Sequence, residues 1–184
     1  MEKFVCKIDP KIIYDLNNQI SKNRIINWAP DYNDQAGISF DDLSYILDYW
    51  KNKFSWTNEE EKLNKFNQYV FQYDNVKTHF LHIKSNHKNS IPLLLIHGWP
   101  GSIFEFNDLI PLLTSPDKND LKDHLAFDLI IPSLPNVGFS FSPKQKPLDL
   151  NEISKHFIKL MKTLDYQKYF IQGGDLGSFI ASIM

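Results

Sequence analysis

The alternation of apolar and polar positions changes its period near residue 66. Before that point apolar residues recur at helical spacing. Ile12, Ile13, Leu16 and Ile20 fall on one face of a helix opened by Asp9 and Pro10. Ser39, three residues before Asp42, starts a second helix carrying Leu43, Ile46, Leu47 and Trp50. Thr57 with Glu60 predicts a capping box for a third, carrying Leu63 and Phe66. Residues 28–37 are rich in Asn, Asp, Pro and Gly and read as a loop. Residues 1–66 are therefore expected to be a helical region.

From residue 67 the pattern is that of strands. Residues 68–71 are aromatic and β-branched, 76–83 alternate loosely, and Asp74 with Asn75 joins them as a hairpin. The continuous apolar run 91–96 predicts a strand buried on both faces, and 127–131 and 169–171 are two more. Helical stretches lie between them, at about 104–113 and 150–164, the second capped by Asp149 with Glu152. A hairpin followed by alternating strands and helices predicts an α/β fold, a mixed sheet that becomes parallel, over residues 67–184.

Six of the seven glycines follow these buried strands: Gly98 and Gly101, Gly138, and Gly173, Gly174 and Gly177. Open α/β sheets place ligand crevices at strand carboxyl ends, where glycine permits close backbone approach. The last group is the most informative. A strand runs into Gly173-Gly174-Asp175-Leu176-Gly177 and then into the apolar stretch Phe179-Ile180-Ala181. This is a nucleophile elbow with Asp where Ser is familiar. The turn is crowded, so Gly173 and Gly177 meet its need for small neighbours. The alternative is that Asp175 merely caps the helix beginning at Leu176.

A second loop, His97-Gly98-Trp99-Pro100-Gly101-Ser102, follows the 91–96 strand. In elbow folds such a loop supplies one N–H of an oxyanion hole, and the residue after the nucleophile supplies the other. Trp99 and Leu176 are the expected donors.

These motifs resemble the microsomal-type epoxide hydrolase family. The resemblance rests on the 97–102 loop followed by Glu105-Phe106, on Gly173 to Ser178, and on Ile131-Pro132-Ser133-Leu134-Pro135 with Gly138-Phe139-Ser140. It extends to Trp28, Tyr49-Trp50, Phe54-Ser55-Trp56, Leu63-Asn64 and His79-Phe80-Leu81-His82, and so covers essentially the whole chain. It implies a truncated α/β-hydrolase fold preceded by a helical meander that packs around its outside. It implies Asp175 as nucleophile, Trp99 and Leu176 as oxyanion donors, and His97, Gly98, Pro100, Gly173, Gly174 and Gly177 as residues that shape the site. The substrate implied is a small-molecule epoxide, with water as co-substrate and no cofactor or metal. Asp suits that chemistry, because a serine that opened an epoxide would end as an inert ether, whereas a carboxylate ends as an ester that water can cleave. Two positions depart from the family's habit. Leu176 stands where Trp is usual, and Pro135-Asn136-Val137-Gly138 stands where Pro-Gly-Tyr-Gly is usual, which alters a pocket wall.

In the family the water-activating His, its orienting acid and the cap tyrosines lie after later strands. This chain ends at Met184, so it is expected to be a fragment, inactive alone, with an unpaired edge at 169–171 through which it associates. None of its own histidines is an evident substitute. His97 is expected to be buried and hydrogen-bonded. His79 and His82, three apart on a strand, face opposite sides and share no metal. His124 and His156 are expected at the surface, Cys6 in packing or at the surface, and the lysine-rich 84–88 stretch in a solvated loop. Tyr49, Trp50, Phe54 and Trp56 are expected to anchor the helical region to the core.

Charge and composition exclude several other classes. Lys and Arg total 20 against 22 Asp and Glu, which leaves no basic field for nucleic acid and no polybasic membrane patch. The start shows no signal peptide or membrane anchor, and the single cysteine allows no internal disulfide, so a reducing, cytoplasmic setting is expected. Two rival functions remain. A haloalkane dehalogenase also uses Asp on an elbow, but needs an indole donor after the nucleophile, which Leu176 lacks. A non-catalytic interaction module fits the absence of a base.

Overall fold

The apolar runs at 91–96 and 127–131 become neighbouring strands in the middle of a six-stranded sheet. The computed structural model describes residues 1–25, 37–116 and 125–184. Trp28, most of the expected 28–37 loop and His124 lie outside them.

The chain forms two compact units. One comprises Cys6–Lys65, the other Met1–Val5 with Phe66–Met184. In the first, helices α1 (Pro10–Lys22), α2 (Phe40–Asn52) and α3 (Trp56–Leu63) are capped by Asp9, Ser39 and Ser55. The expected Thr57–Glu60 box does not form. Ser55 caps α3 instead, and Glu60 Oε2 accepts the Ile8 N–H at 2.8 Å and the Trp56 indole N–H at 3.1 Å. Phe66 falls outside that helix. Tyr49, Trp50 and Phe54 keep much of their surface exposed and line, with Ile13, Leu16 and Ile46, a groove of about 630 Å³ within this unit. Cys6 is buried, its amide bonded to Asn64 at 2.9 Å, and burial with Glu60 nearby pushes its thiol up to about 11. No helix among the described residues is long and apolar enough to cross a membrane.

In the second unit the strand order is β1-β2-β3-β5-β4-β6, namely Glu2–Phe4, Gln68–Tyr73, Val76–Ile83, Phe127–Pro132, Ile91–Ile96 and Phe170–Gly173. The strand at Glu2–Phe4 corrects the expectation of an all-helical start: it pairs antiparallel to β2, with Lys3 opposite Tyr69. The hairpin β2–β3 turns through Asp74 and Asn75, both at positive φ (48° and 60°), the geometry of a tight two-residue turn that Asp and Asn tolerate. The sheet then becomes parallel, with Leu94 opposite Ile130 on one side and Ile171 on the other.

The expected 104–113 helix is broken into a 3-10 turn, Ile103–Phe106, and α4, Leu109–Thr114. Pro111 has no N–H to give Asn107, so a continuous helix would lose a bond there; as the third residue of α4 it loses nothing. Helix α5, Leu150–Thr163, carries the expected Asp149–Glu152 box and buries Ile153, Phe157, Leu160 and Met161 against Phe80, Leu94, Ile96 and Ile130. Burying four such side chains contributes roughly 1.5–3 kcal/mol each. Strand β6 is not buried on both faces as its apolar run predicts. It pairs with β4 alone among the described residues, and Phe170 is 62% exposed.

Candidate active site

The chain goes from β4 to β5 on one side, then returns through α5 to β6 on the other side of β4. That reversal makes the carboxyl end of β4 a switch point, where a crevice opens between diverging loops. The loop beginning at His97 lies there, flanked by the β5 loop and by the turn into α6, Leu176–Ile183.

Asp175 sits on that turn with φ 48° and ψ −124°, a costly conformation for a non-glycine residue, and its side chain makes no cap bond to α6. The carboxylate points instead across the switch point, where its Oδ1 accepts the Trp99 N–H at 2.8 Å. The N–H groups of Trp99 and then Leu176 hold its carboxyl below the ordinary carboxylate range, so the exposed group is anionic at neutral pH. Three glycines make this approach sterically feasible. A Cβ on Gly98 would lie 2.7 Å from Asp175 Cβ, one on Gly177 would run into the Ile96 carbonyl, and one on Gly173 into the Gly177 carbonyl. Gly174 has open space around it, so crowding gives no reason for glycine there.

The 97–102 loop is fixed from several directions. His97 is buried; its Nδ1 pairs with the Gly98 carbonyl at 2.8 Å and its Nε2 accepts the Leu134 N–H at 3.0 Å. A carbonyl only accepts and an amide only donates, so the ring is neutral with its proton on Nδ1. Burial pushes His97 below the ordinary histidine range, opposed by the Gly98 carbonyl and Glu105. The Trp99–Pro100 peptide is cis. Glu105 accepts the Ser102 N–H at 3.1 Å, completing a capping box, and its carboxylate fills the space a side chain on Gly101 would need. Trp99 itself is 64% exposed, its indole free to face a ligand.

The β5 loop adjoins the 97–102 loop through the Leu134–His97 bond. Asn136 has φ 64° and Gly138 φ 51°. Asn tolerates that left-handed region better than most residues, so Asn136 keeps a turn for which Gly is the usual choice. His79, fully buried, ties this loop to the sheet. Its ring pairs with Ser133 Oγ and Gln68 Oε1, both at 3.0 Å, and its N–H donates to Ser140 Oγ at 3.0 Å. His82 pairs with Tyr166 at 3.0 Å, so the two histidines serve different networks. No cluster of metal-ligating residues exists among the described residues. His156 is not a surface residue: it is 4% exposed and its Nε2 lies 3.0 Å from Thr78 Oγ1. It lies on the inward stripe of α5, one residue before Phe157. Leu134, Glu105 and His79 belong to the motifs, but their roles as supports are not legible there; the polar residues amid apolar runs, His79 and Ser133, are the available signal.

An elbow-borne carboxylate at such a switch point, met by backbone donors, is the architecture of the α/β-hydrolase fold. Residues 91–184 match the alpha/beta hydrolase fold family, and residues 1–106 match the Epoxide hydrolase N terminus family. The chain belongs to the epoxide hydrolase family. It is 36% identical to epoxide hydrolase 1 of Sus scrofa over 94% of its own length, spanning 39% of that protein. The juvenile hormone epoxide hydrolase structure from the silkworm Bombyx mori superposes with a TM-score of 0.87 at 30% identity, over the whole of this chain and 43% of that one. The Aspergillus niger epoxide hydrolase gives 0.83 at 30% identity, over 98% of this chain and 47% of that one. The chain thus spans less than half the length of each of these relatives.

Proposed function

We propose that this chain supplies the nucleophile and the oxyanion hole of an epoxide hydrolase, which converts a small-molecule epoxide and water into a vicinal diol. The observation that carries the reading is the Trp99 N–H on Asp175 Oδ1. That bond leaves Oδ2 to attack an epoxide carbon. The carbon–oxygen bond of the ring breaks, the ring oxygen leaves as an alkoxide that takes a proton, and the substrate is held as an ester on Asp175. Water then adds to Cγ. The negative charge gathers on Oδ1, already facing the Trp99 N–H, with the Leu176 N–H beside the same carboxyl group, and the intermediate collapses to free diol and carboxylate. Fixed donors of this kind typically contribute a few kcal/mol each to such a step. No cofactor takes part, and His97, Gly98, Pro100, Gly173, Gly174 and Gly177 shape the site. Leu176 offers no indole to hold a departing halide, which favours an epoxide over a haloalkane. A reducing, cytoplasmic setting accords with the lone Cys6.

Incubation with a reactive terminal epoxide such as styrene oxide, followed by intact-mass and peptide analysis, tests the reading. A single adduct on Asp175, absent in Asp175→Ala, is expected. Folded protein that stays unmodified, or is modified equally in Asp175→Ala, overturns it.

A further inference from the structure

We propose that Ser178 is a positioning residue whose hydroxyl aims the Leu176 N–H at the Asp175 carboxylate. The inference rests on the reading of Leu176 as an oxyanion donor. The Asp175 carbonyl and the Leu176 N–H belong to one planar trans peptide unit, so fixing the direction of one fixes the other. Ser178 holds that carbonyl twice. Its N–H donates to the oxygen at 3.0 Å and its Oγ–H at 2.6 Å. A carbonyl oxygen has two lone pairs, and one residue supplies a donor for each. After the Trp99 N–H, it is the Leu176 N–H, on the other side of this peptide unit, that holds the Asp175 carboxyl below the ordinary carboxylate range. Ser178 thus sets the direction of a donor it does not touch.

A holding device is needed at this turn. Asp175 keeps φ 48° and ψ −124°, a conformation that persists only where the surroundings over-determine it. Gly98, Gly173 and Gly177 clear space for the turn, which permits the conformation without holding it. The Asp175 side chain makes no cap bond to α6 and does not hold it either. The Ser178 pair does, and its geometry differs from that at three other helix starts. The carbonyls of Ser39, Ser55 and Asp149, which cap α2, α3 and α5, each accept the N–H four residues on. At Asp175 the bond comes from three residues on, a tighter turn, and the hydroxyl of the same residue joins it. Other helical serines bond back within their own helix, Ser182 to the Ser178 carbonyl and Ser154 to the Leu150 carbonyl, both at 2.8 Å. Ser178 reaches back to the nucleophile's own peptide.

Two replacements in the 184-residue chain test this. Ser178→Ala keeps the small size that the crowded turn wants and removes only the hydroxyl. Ser182→Ala removes the same group one turn further along α6, where it bonds the Ser178 carbonyl. The readout is the carboxyl titration of Asp175 by carbon-13 NMR, followed together with the Leu176 amide. In Ser178→Ala the midpoint is expected to rise part of the way toward the ordinary carboxylate value, because the Trp99 N–H stays in place. The pH-dependent shift of the Leu176 amide is expected to shrink. Ser182→Ala is expected to leave both unchanged. An unmoved midpoint in folded Ser178→Ala, or equal shifts in the two variants, overturns the proposal, since small size or helix stability would then account for the serine. Should Ser178→Ala fail to fold, the wild type decides. Its Ser178 couplings should report a single χ1 rotamer, and its Leu176 amide should titrate with the Asp175 carboxyl. A rotamer-averaged Ser178, or a Leu176 amide blind to the carboxyl, overturns it. No epoxide enters these measurements, so their failure is distinct from failure of the alkylation test.

Discussion

Trp99 and Asp175 stand 76 residues apart in the chain, yet the amide of one lies 2.8 Å from the carboxylate of the other. The meeting depends on Gly98. Its Cα faces the nucleophile so closely that a methyl group would sit 2.7 Å from Asp175 Cβ and 2.8 Å from Oδ1. Gly98→Ala is therefore expected to push the carboxylate off the Trp99 N–H and raise its titration midpoint. Adduct formation with styrene oxide should fall at least about tenfold, because the displaced Oδ2 no longer keeps its line of attack. The nearest atom is Asp175 Cβ, which the elbow backbone holds, so the turn must give locally while the rest of the sheet persists. Comparing alkylation rates with circular dichroism checks both halves, and a variant that alkylates at the wild-type rate removes the close-approach argument.

Gly177 is expected to behave differently, since its obstacle is backbone. A Cβ there meets the Ile96 carbonyl oxygen inside the sheet, and neither strand nor helix can yield without repacking. Overpacking of this kind costs roughly 1–3 kcal/mol. Gly177→Ala should lower the melting temperature by several degrees, whereas Gly174→Ala, with open space around it, should leave it nearly unchanged. Equal melting temperatures for the two variants would mean that α6 is free to shift on β4.

The contrast shows what the sequence can and cannot disclose. The elbow is legible because its constraint is local: a strand, a crowded turn and a helix follow one another within ten residues, and each leaves its mark in residue type. The parallel pairing of β4 with β5 and β6 is legible from continuous apolar runs. Strand β1 is not, because three residues, Glu2–Phe4, carry too short a pattern to outweigh the helical residues that follow. His156 misleads because its polar type suggests the surface; its position beside Phe157 on α5 is set by the core stripe, and Thr78 from a distant strand satisfies its ring. The supports of the site are long-range in the same way. Nothing near His97 announces Leu134, and nothing near His79 announces Ser140.

Those buried histidines make stability depend on pH. Burial pushes His79 and His156 down to about 4 from an ordinary value of 6.5. Between those two values the unfolded chain binds protons that the folded chain refuses, so stability rises with pH through that window. The contribution is complete above about 6.5 and is lost progressively as pH falls toward 4. A shift of that size corresponds to an upper figure of about 3 kcal/mol per histidine, and less for His156, whose surroundings are less enclosed. Urea melts at pH 7.5 and pH 5 should show the loss, and His156→Gln, which retains a partner for Thr78, should reduce it. Identical midpoints at the two pH values would place these rings in contact with water.

The 184-residue chain should also stop at the ester. Hydrolysis needs a base that activates water beside Cγ of Asp175. Among the described residues, His97 lies on the loop beside the elbow, and its one acceptor nitrogen is occupied by the Leu134 N–H. His79 and His82 on β3 and His156 on α5 are each hydrogen-bonded to groups other than Asp175. His87 precedes β4, at the end of that strand remote from Asp175. A styrene oxide adduct should therefore accumulate to one equivalent and persist, with Trp99 and Leu176 ready to stabilise an attack that no group among the described residues initiates. Imidazole supplied from solution should shorten the life of the adduct and release diol, more effectively in wild type than in Gly98→Ala, whose carboxylate is displaced from the Trp99 N–H. Intact-mass measurement over time, with and without imidazole, follows the ester, and diol analysis follows the product. Sustained diol release without imidazole, abolished by Asp175→Ala, would show that a base is already in place and would overturn the expected arrest at the ester.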